Sequence, residues 1–205
     1  MQKGSVVTAD EVSKLLNVSR ETMCQFEAYL ALLEKWQRRI NLVANSTMND
    51  AWQRHILDSG QLVKFYPPNT KKILDVGSGA GFPGLVLAIM GNVQVNLVES
   101  DHRKATFLST VIRSLGLPAK VHNQRIESLP SLAPDVVTAR ALAPVSKLMK
   151  LIENQLSPDT ICLFLKGESV EDELTDLRSY STMVPVSHPS LSGPNGVVLE
   201  LKYNR

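Results

Sequence analysis

The stretch from Ile73 to Ile89, ILDVGSGAGFPGLVLAI, constrains this chain more than any other. Four glycines, Gly77, Gly79, Gly81 and Gly84, fall inside eight residues. An apolar, strand-like run precedes them and a helix-like run follows. Glycine reaches positive φ without a side-chain clash and lets a ligand come close to the backbone. A strand, a glycine turn and a helix in that order open a βαβ unit. In such sheets ligands bind outside the carboxyl ends of the strands. The stretch therefore sets both an architecture and the place of a site.

The rest of the chain fits that architecture. Beyond the glycines, VQVNLVE, AKVHNQ, DVVTARA and TICLFLKG read as strands. Between them, DHRKATFLSTVIRSLG reads as a helix capped by Gly116, and PVSKLMKLIENQL as another. Pro83 suits the first helical position after the glycine loop. A further helix is expected over SVEDELTDLRSY. Two last strands, around MVPVSH and VVLELKY, are joined only by the turn-rich PSLSGPNG. A parallel crossover needs a dozen or more residues, so this final pair is expected to be antiparallel.

Residues 1–66 read differently, as a helical extension ahead of a catalytic domain over residues 67–205. Thr8 and Glu11 form a capping box. From Ser19, Phe26, Leu30, Leu33, Trp36 and Ile40 recur at helical spacing, as core positions. A third helix is expected from about Asn49 to Phe65, stopped by Pro67 and Pro68. At 205 residues, 43% hydrophobic and 20% charged, the composition is that of a globular protein. No run approaches the roughly 18 apolar residues of a membrane span, and the start lacks a signal-peptide core. A cytoplasmic protein is expected. Cys24 and Cys162 lie far apart with no ligand cluster around them, and both read as buried, reduced thiols rather than a disulfide or metal site.

The glycine loop narrows the ligand. No Gly-Lys-Ser/Thr follows, so it is not a nucleoside-triphosphate P-loop. Gly79, Gly81 and Gly84 do fit the dinucleotide pattern, and Glu99 ends the next strand where a ribose-binding acid belongs. Asp75 shifts the balance. A carboxylate beside the loop repels a pyrophosphate but favours the ammonium of a methionyl group, met directly or through water. The string D-x-G-x-G-x-G and the antiparallel ending together resemble the class I S-adenosylmethionine-dependent methyltransferases. Their Rossmann-like, seven-stranded sheet is mostly parallel with one reversed strand. Glu99 then holds the ribose diol.

The acceptor is narrowed by what the sheet edge lacks. TARALAP replaces the Asn/Asp-Pro-Pro-aromatic string of exocyclic-amine methyltransferases. No cysteine follows a strand where attack on a pyrimidine would need one. Substrates that are already nucleophiles remain.

Several stretches then carry a specific resemblance. LLEKWQRRINLVA, RHILDS, LDVGSGAGFPG, the RIE of Arg125 to Glu127, ARALAP and FLKGES occur in order. They resemble the RsmG (GidB) family, bacterial enzymes that make 7-methylguanosine in 16S ribosomal RNA. Val43 departs from the threonine of many relatives. The resemblance implies a cofactor site at Gly77 and Phe82 with Ile126, Glu127 and Arg140, and places Glu99, Ser100 and Asp101 near ribose and adenine. Asp75, Ser78, Gly79 and Gly81 complete the expected cofactor set. The implied donor is S-adenosylmethionine, leaving S-adenosylhomocysteine. The implied partner is 16S ribosomal RNA in the small subunit or an assembly intermediate.

Guanine N7 carries a lone pair and no proton, so no general base and no metal are expected. Arg140 is expected to orient cofactor or RNA without touching N7. Arg54, His55 and Lys166 are expected to place the target nucleotide. The same RHILDS stretch equally reads as a buried polar dock for the helical extension. Lys35, Arg38, Arg39, Arg103, Lys104, Arg113 and Arg125 are candidate phosphate contacts, with the solvated-surface reading beside them. A small-molecule methyltransferase, an NAD-dependent oxidoreductase and a non-catalytic ribosome-binding module are the alternatives.

Overall fold

The computed structural model describes residues 7–91, 93–167, 173–174 and 183–203. Its strands are β1 (Lys72–Val76), β2 (Gln94–Val98), β3 (Ala119–His122), β4 (Val136–Arg140), β5 (Ile161–Lys166), β6 (Met183–Pro189) and β7 (Val197–Tyr203). They form one sheet in the order β3-β2-β1-β4-β5-β7-β6. β1 to β5 pair in parallel, and β7 runs antiparallel to both β5 and β6. The short link between β6 and β7 makes that reversal necessary. The strand order turns at the β1/β4 boundary, where open sheets of this kind leave a crevice.

Helices cover both faces. α1 (Ala9–Leu16), α2 (Arg20–Gln37), α4 (Gly84–Met90) and α5 (His102–Leu115) pack on one face, and α6 (Val145–Ile152) on the other. The alternation along β1 sorts the cores: Ile73 joins Phe26, Tyr29, Leu85 and Phe107, whereas Leu74 and Val76 join Val137, Leu148 and Ile152. Every residue from Gly84 to Ile89 of α4 is buried. A helix that is apolar all round needs cover on every side, and α2 supplies it from outside the sheet layer. Phe26, Tyr29 and Leu33 of α2 are fully buried, each stabilising by roughly 1.5–3 kcal/mol.

The caps follow the sequence reading. Thr8 and Glu11 close a capping box on α1, and Gly116 ends α5 at φ 63°. Pro83 differs from expectation: it caps α4 from outside, after a cis Phe82–Pro83 bond, so the helix begins at Gly84. Cys24 also differs. It is exposed on α2, while Cys162 is buried in β5, and both thiols are free. Met23 and Phe26 take the core face of α2, which turns Cys24 to solvent.

The expected third helix is three short pieces: a π-helical stretch Trp52–Leu57, α3 (Asp58–Gly60) and a 3-10 turn Gln61–Phe65. At Gly60 a methyl group would lie 2.6 Å from Leu16 Cδ1 and 2.9 Å from Met90 Sδ. That close approach explains the glycine and joins the segment to α1 and α4. The helix expected over residues 169–180 lies outside the described residues, apart from Glu173 and Leu174.

Candidate functional site

A cavity of about 950 Å³ opens at the carboxyl edge of the sheet. Its floor is the loop after β1. Gly77, Gly79 and Gly81 take positive φ, which is why the loop is glycine-rich. The amides of Gly77 and Ser78 both donate to Val98 O at 2.9 and 3.0 Å, and this fastens the loop to the end of β2. Glu99 fastens it again: Oε2 accepts from the Gly79 amide at 2.8 Å and Oε1 from the Asp101 amide at 2.7 Å. The Tyr29 hydroxyl of α2 donates to Ala80 O from below.

The cavity gathers Gly77, Ser78, Gly79, Glu99, Ser100, Ile126, Glu127 and Arg140, together with Arg54, His55 and Lys166. Four expected residues are not on its wall. Asp101 caps α5, accepting from the Arg103 and Lys104 amides. Gly81 and Phe82, at the end of the loop, do not line the cavity. Phe82 is buried: His55 stacks on it at 4.6 Å, Tyr29 packs at 5.2 Å, and the Arg140 guanidinium sits 4.8 Å above its ring.

Asp75 is the fourth. Its carboxylate is buried and does not line the cavity, so of the two expected routes to an ammonium, direct or through water, only the indirect one fits this burial. Thr138 Oγ1 donates to Oδ1 at 2.8 Å. Among the described residues Oδ2 has no hydrogen-bond partner. Burial pushes the carboxyl up to about 6, against the opposing pull of Ser78, Thr138, the Gly84 amide and Arg140. Gly84 is required beside it, since a methyl there would lie 2.7 Å from Oδ2 and 2.3 Å from Leu97 Cδ2.

Arg140, at the end of β4, is held by the π-helical segment. It donates to Arg54 O at 2.9 Å and to His55 Nδ1 at 3.1 Å, and lies 3.7 Å from Asp58 Oδ2. Guanidinium has no acceptor, so Nδ1 must carry the lone pair and Nε2 the proton. Nε2 then donates to Thr47 Oγ1 at 3.0 Å, which donates on to Ala44 O at 2.7 Å. Burial, then the Arg140 charge, lowers His55 to about 3, in agreement with a neutral ring. Both nitrogens are engaged inside the protein, so His55 borders the cavity without a free group to place a nucleotide.

Asp58 Oδ1 turns the other way and accepts from Ser192 Oγ at 2.7 Å and Ser190 Oγ at 3.3 Å. Gln61 adds bonds to Ser190 Oγ and the Leu191 amide, and Gln53 one to Ser192 O. The β6–β7 loop is thereby pinned as a wall, with Ser192 to Gly196 lining the cavity. Lys166 is also engaged, donating to Ala143 O at 2.8 Å and Glu173 Oε2 at 2.7 Å. Lys104 and Arg125 line the cavity, whereas Lys35, Arg39, Arg103 and Arg113 border a groove between α2 and α5. Arg38 pairs with Glu34 on the surface. Sequence reasoning missed Thr47, Leu142 and the β6–β7 wall. The turn-rich PSLSGPNG was the available signal for the last.

The fold also occurs in solved structures. A SAM-dependent methyltransferase from Aquifex aeolicus aligns with TM-score 0.60 at 14% identity, over 84% of this chain and 97% of that one. A TehB-like SAM-dependent methyltransferase from Corynebacterium glutamicum aligns with TM-score 0.60 at 15% identity, over 87% and 99%. These likenesses are of fold. They give the chain the fold of the class I S-adenosylmethionine-dependent methyltransferases. The family model for rRNA small subunit methyltransferase G matches residues 22–196. Ribosomal RNA small subunit methyltransferase G of Rhodospirillum centenum is 50% identical over 94% of this chain and 89% of its own length; that of Rhodospirillum rubrum is 50% identical over 90% and 92%. The chain belongs to the rRNA small subunit methyltransferase G family.

Proposed function

We propose that this protein transfers a methyl group from S-adenosylmethionine to N7 of a guanine in 16S ribosomal RNA, within the small subunit or an assembly intermediate. The observation that carries the reading is convergence. The glycine loop, the Glu99 carboxylate and the Ile126–Glu127 turn face one cavity at the β1/β4 crevice. The donor fits that chemistry. Glu99 keeps lone pairs on both oxygens for a ribose diol, and Ile126 offers an apolar surface beside Glu127 for adenine. Asp75 acts from beneath as a buried charge and Arg140 from the side as a clamp on the loop's neighbours.

When bound, the donor supplies an electrophilic methyl group. Guanine N7 would form the new bond to the methyl carbon with its own lone pair, the carbon–sulfur bonding pair leaving with sulfur. No proton needs to be removed first, so the chain's task is alignment. A neutral His55 with both nitrogens occupied is compatible with that task. Phe82, His55 and Asp58 hold Arg140 at the cavity wall, where it orients cofactor or RNA without bonding to N7. An RNA substrate of this kind also implies a cytoplasmic site of action; no helix among the described residues is long and apolar enough to cross a membrane.

Two measurements test the reading. Calorimetry is expected to show binding of S-adenosylmethionine and S-adenosylhomocysteine and none of NAD. Mass mapping of 16S ribosomal RNA from cells lacking the protein is expected to show a lost guanine methylation. The native chain restores it and a Gly79→Val chain does not. Binding of NAD alone, or an unchanged RNA map, refutes the proposal.

A further inference from the structure

Leu142 is an apolar side chain in an odd place. Among the described residues, the exposed large hydrophobics are Leu15, Val63, Leu142, Val184 and Leu191. Of these, Leu142 alone lines the cavity. It is 41% exposed, yet it is held firmly. Its side chain lies on the Cα of Gly77: a methyl at Gly77 would be 2.6 Å from Leu142 Cδ1 and 2.9 Å from Cδ2.

The backbone that places it is strained. Ala141 takes φ 51°, a left-handed conformation uncommon for a residue with a side chain. Such outliers persist where the surroundings over-determine them, and they cluster at functional sites. The surroundings here are visible on both sides. Before the tip, Arg140 is tied to Arg54 O and His55. After it, Lys166 holds Ala143 O at 2.8 Å, and Glu173 Oε2 accepts from the Val145 amide at 2.8 Å and from Lys166. A buried-side clamp thus presents a half-bare leucine to the cavity.

Position then assigns its occupant. Glu99 and Ile126–Glu127 stand at the ends of β2 and β3, on one side of the glycine loop. Leu142 comes from β4, on the other side, across the β1/β4 crevice. A purine has two apolar faces, and a branched aliphatic side chain packs against one without offering a donor. At this point a hydrogen-bond donor would compete for the lone pair of N7, and a leucine cannot. We propose that Leu142 is the shelf for the acceptor base: it packs on the face of the target guanine and turns N7 toward the methyl group. This rests on the methyl-transfer reading above.

The test compares wild type, Leu142→Ala and Leu142→Met. Rates of methyl incorporation into small-subunit particles are measured over a range of particle concentrations. Affinity for S-adenosylhomocysteine is measured by calorimetry, and folding by thermal melting. Leu142→Ala is expected to lose about tenfold to a hundredfold in kcat/KM for RNA, the scale of a misplaced reactant. Its affinity for S-adenosylhomocysteine stays within about twofold of wild type, separating acceptor from donor effects. Leu142→Met, which keeps the apolar volume, recovers most of the rate and guards against a folding defect in the alanine chain. An equal loss of S-adenosylhomocysteine affinity moves Leu142 to the donor side and overturns the inference. Unchanged rates in Leu142→Ala overturn it as well. A wild-type protein that methylates no RNA sinks the underlying reading instead, a result distinct from either.

Discussion

Asp75→Asn tests the electrostatics beneath the glycine loop. The Asp75 carboxyl has an ordinary value of 3.8, and burial raises it to about 6. Between those values the folded chain holds a proton that the unfolded chain has released. Stability therefore falls as pH rises from about 4 to about 6 and levels off above. At about 1.4 kcal/mol per pH unit, the ionised carboxylate costs the fold about 3 kcal/mol at neutral pH. Asparagine has no such titration. At pH 4 the two side chains present similar groups: an acceptor to the Thr138 hydroxyl and a donor where Oδ2 has no partner. The variant and wild type are expected to agree there within about 1 kcal/mol. By pH 7.5 the variant is expected to be more stable by about 3 kcal/mol. Denaturant unfolding over a pH series reads this directly, with unchanged m-values as the check on two-state behaviour. The difference curve is the quantity to inspect, because the upward shift of Asp58 and the downward shift of His55 cancel from it. The same variant is expected to bind S-adenosylmethionine more weakly, since it removes a negative charge near a cationic ligand. A difference curve that stays flat from pH 4 to 8 refutes the argument.

Further predictions concern three other residues, Gly84, Gly116 and His55. Gly84→Ala needs no backbone change but forces a methyl against Leu97 and Asp75, so it is expected to cost about 1–3 kcal/mol as overpacking. Gly116→Ala, at φ 63° with nothing within 4 Å, is expected to cost only about 1 kcal/mol for the left-handed conformation; denaturant midpoints compare the two. His55→Asn keeps an acceptor near the Nδ1 position and His55→Ala does not. The asparagine chain is expected to retain S-adenosylhomocysteine affinity better by about 1.5 kcal/mol, the scale of a bond to a charged donor; equal affinities count against the clamp on Arg140.

The fold was largely legible because its signals are local. The apolar runs KILDV and ICLFLK are buried at nearly every residue, as central parallel strands require. The turn-rich link before Val197 permits only an antiparallel partner, and β7 is that partner. The Trp52–Phe65 segment was not legible in the same way. Over one or two turns, apolar spacing does not distinguish an α-helix from a π-helical widening. Cys24 shows a related limit: a thiol suits a core or a surface, and only the neighbouring Met23 and Phe26 decide which face of α2 it takes.

The site divides along the same line. Glycines needing positive φ, and an acid at the end of the next strand, declare themselves in sequence because each answers a local demand. The supports of the loop do not. Tyr29 reaches Ala80 across 51 residues, Arg140 reaches His55 across 85, and Asp58 reaches Ser192 across 134. Each joins the helical segment before residue 67 to the sheet edge. A methyl at Gly81 would lie 2.8 Å from Tyr29 Oη, so the shape of the loop depends on a side chain from α2. Phe82, inside the same loop, is stacked beneath His55. The cofactor loop is therefore not a property of the glycine string alone. The string supplies permission to turn, and the distant helices decide where the turn comes to rest.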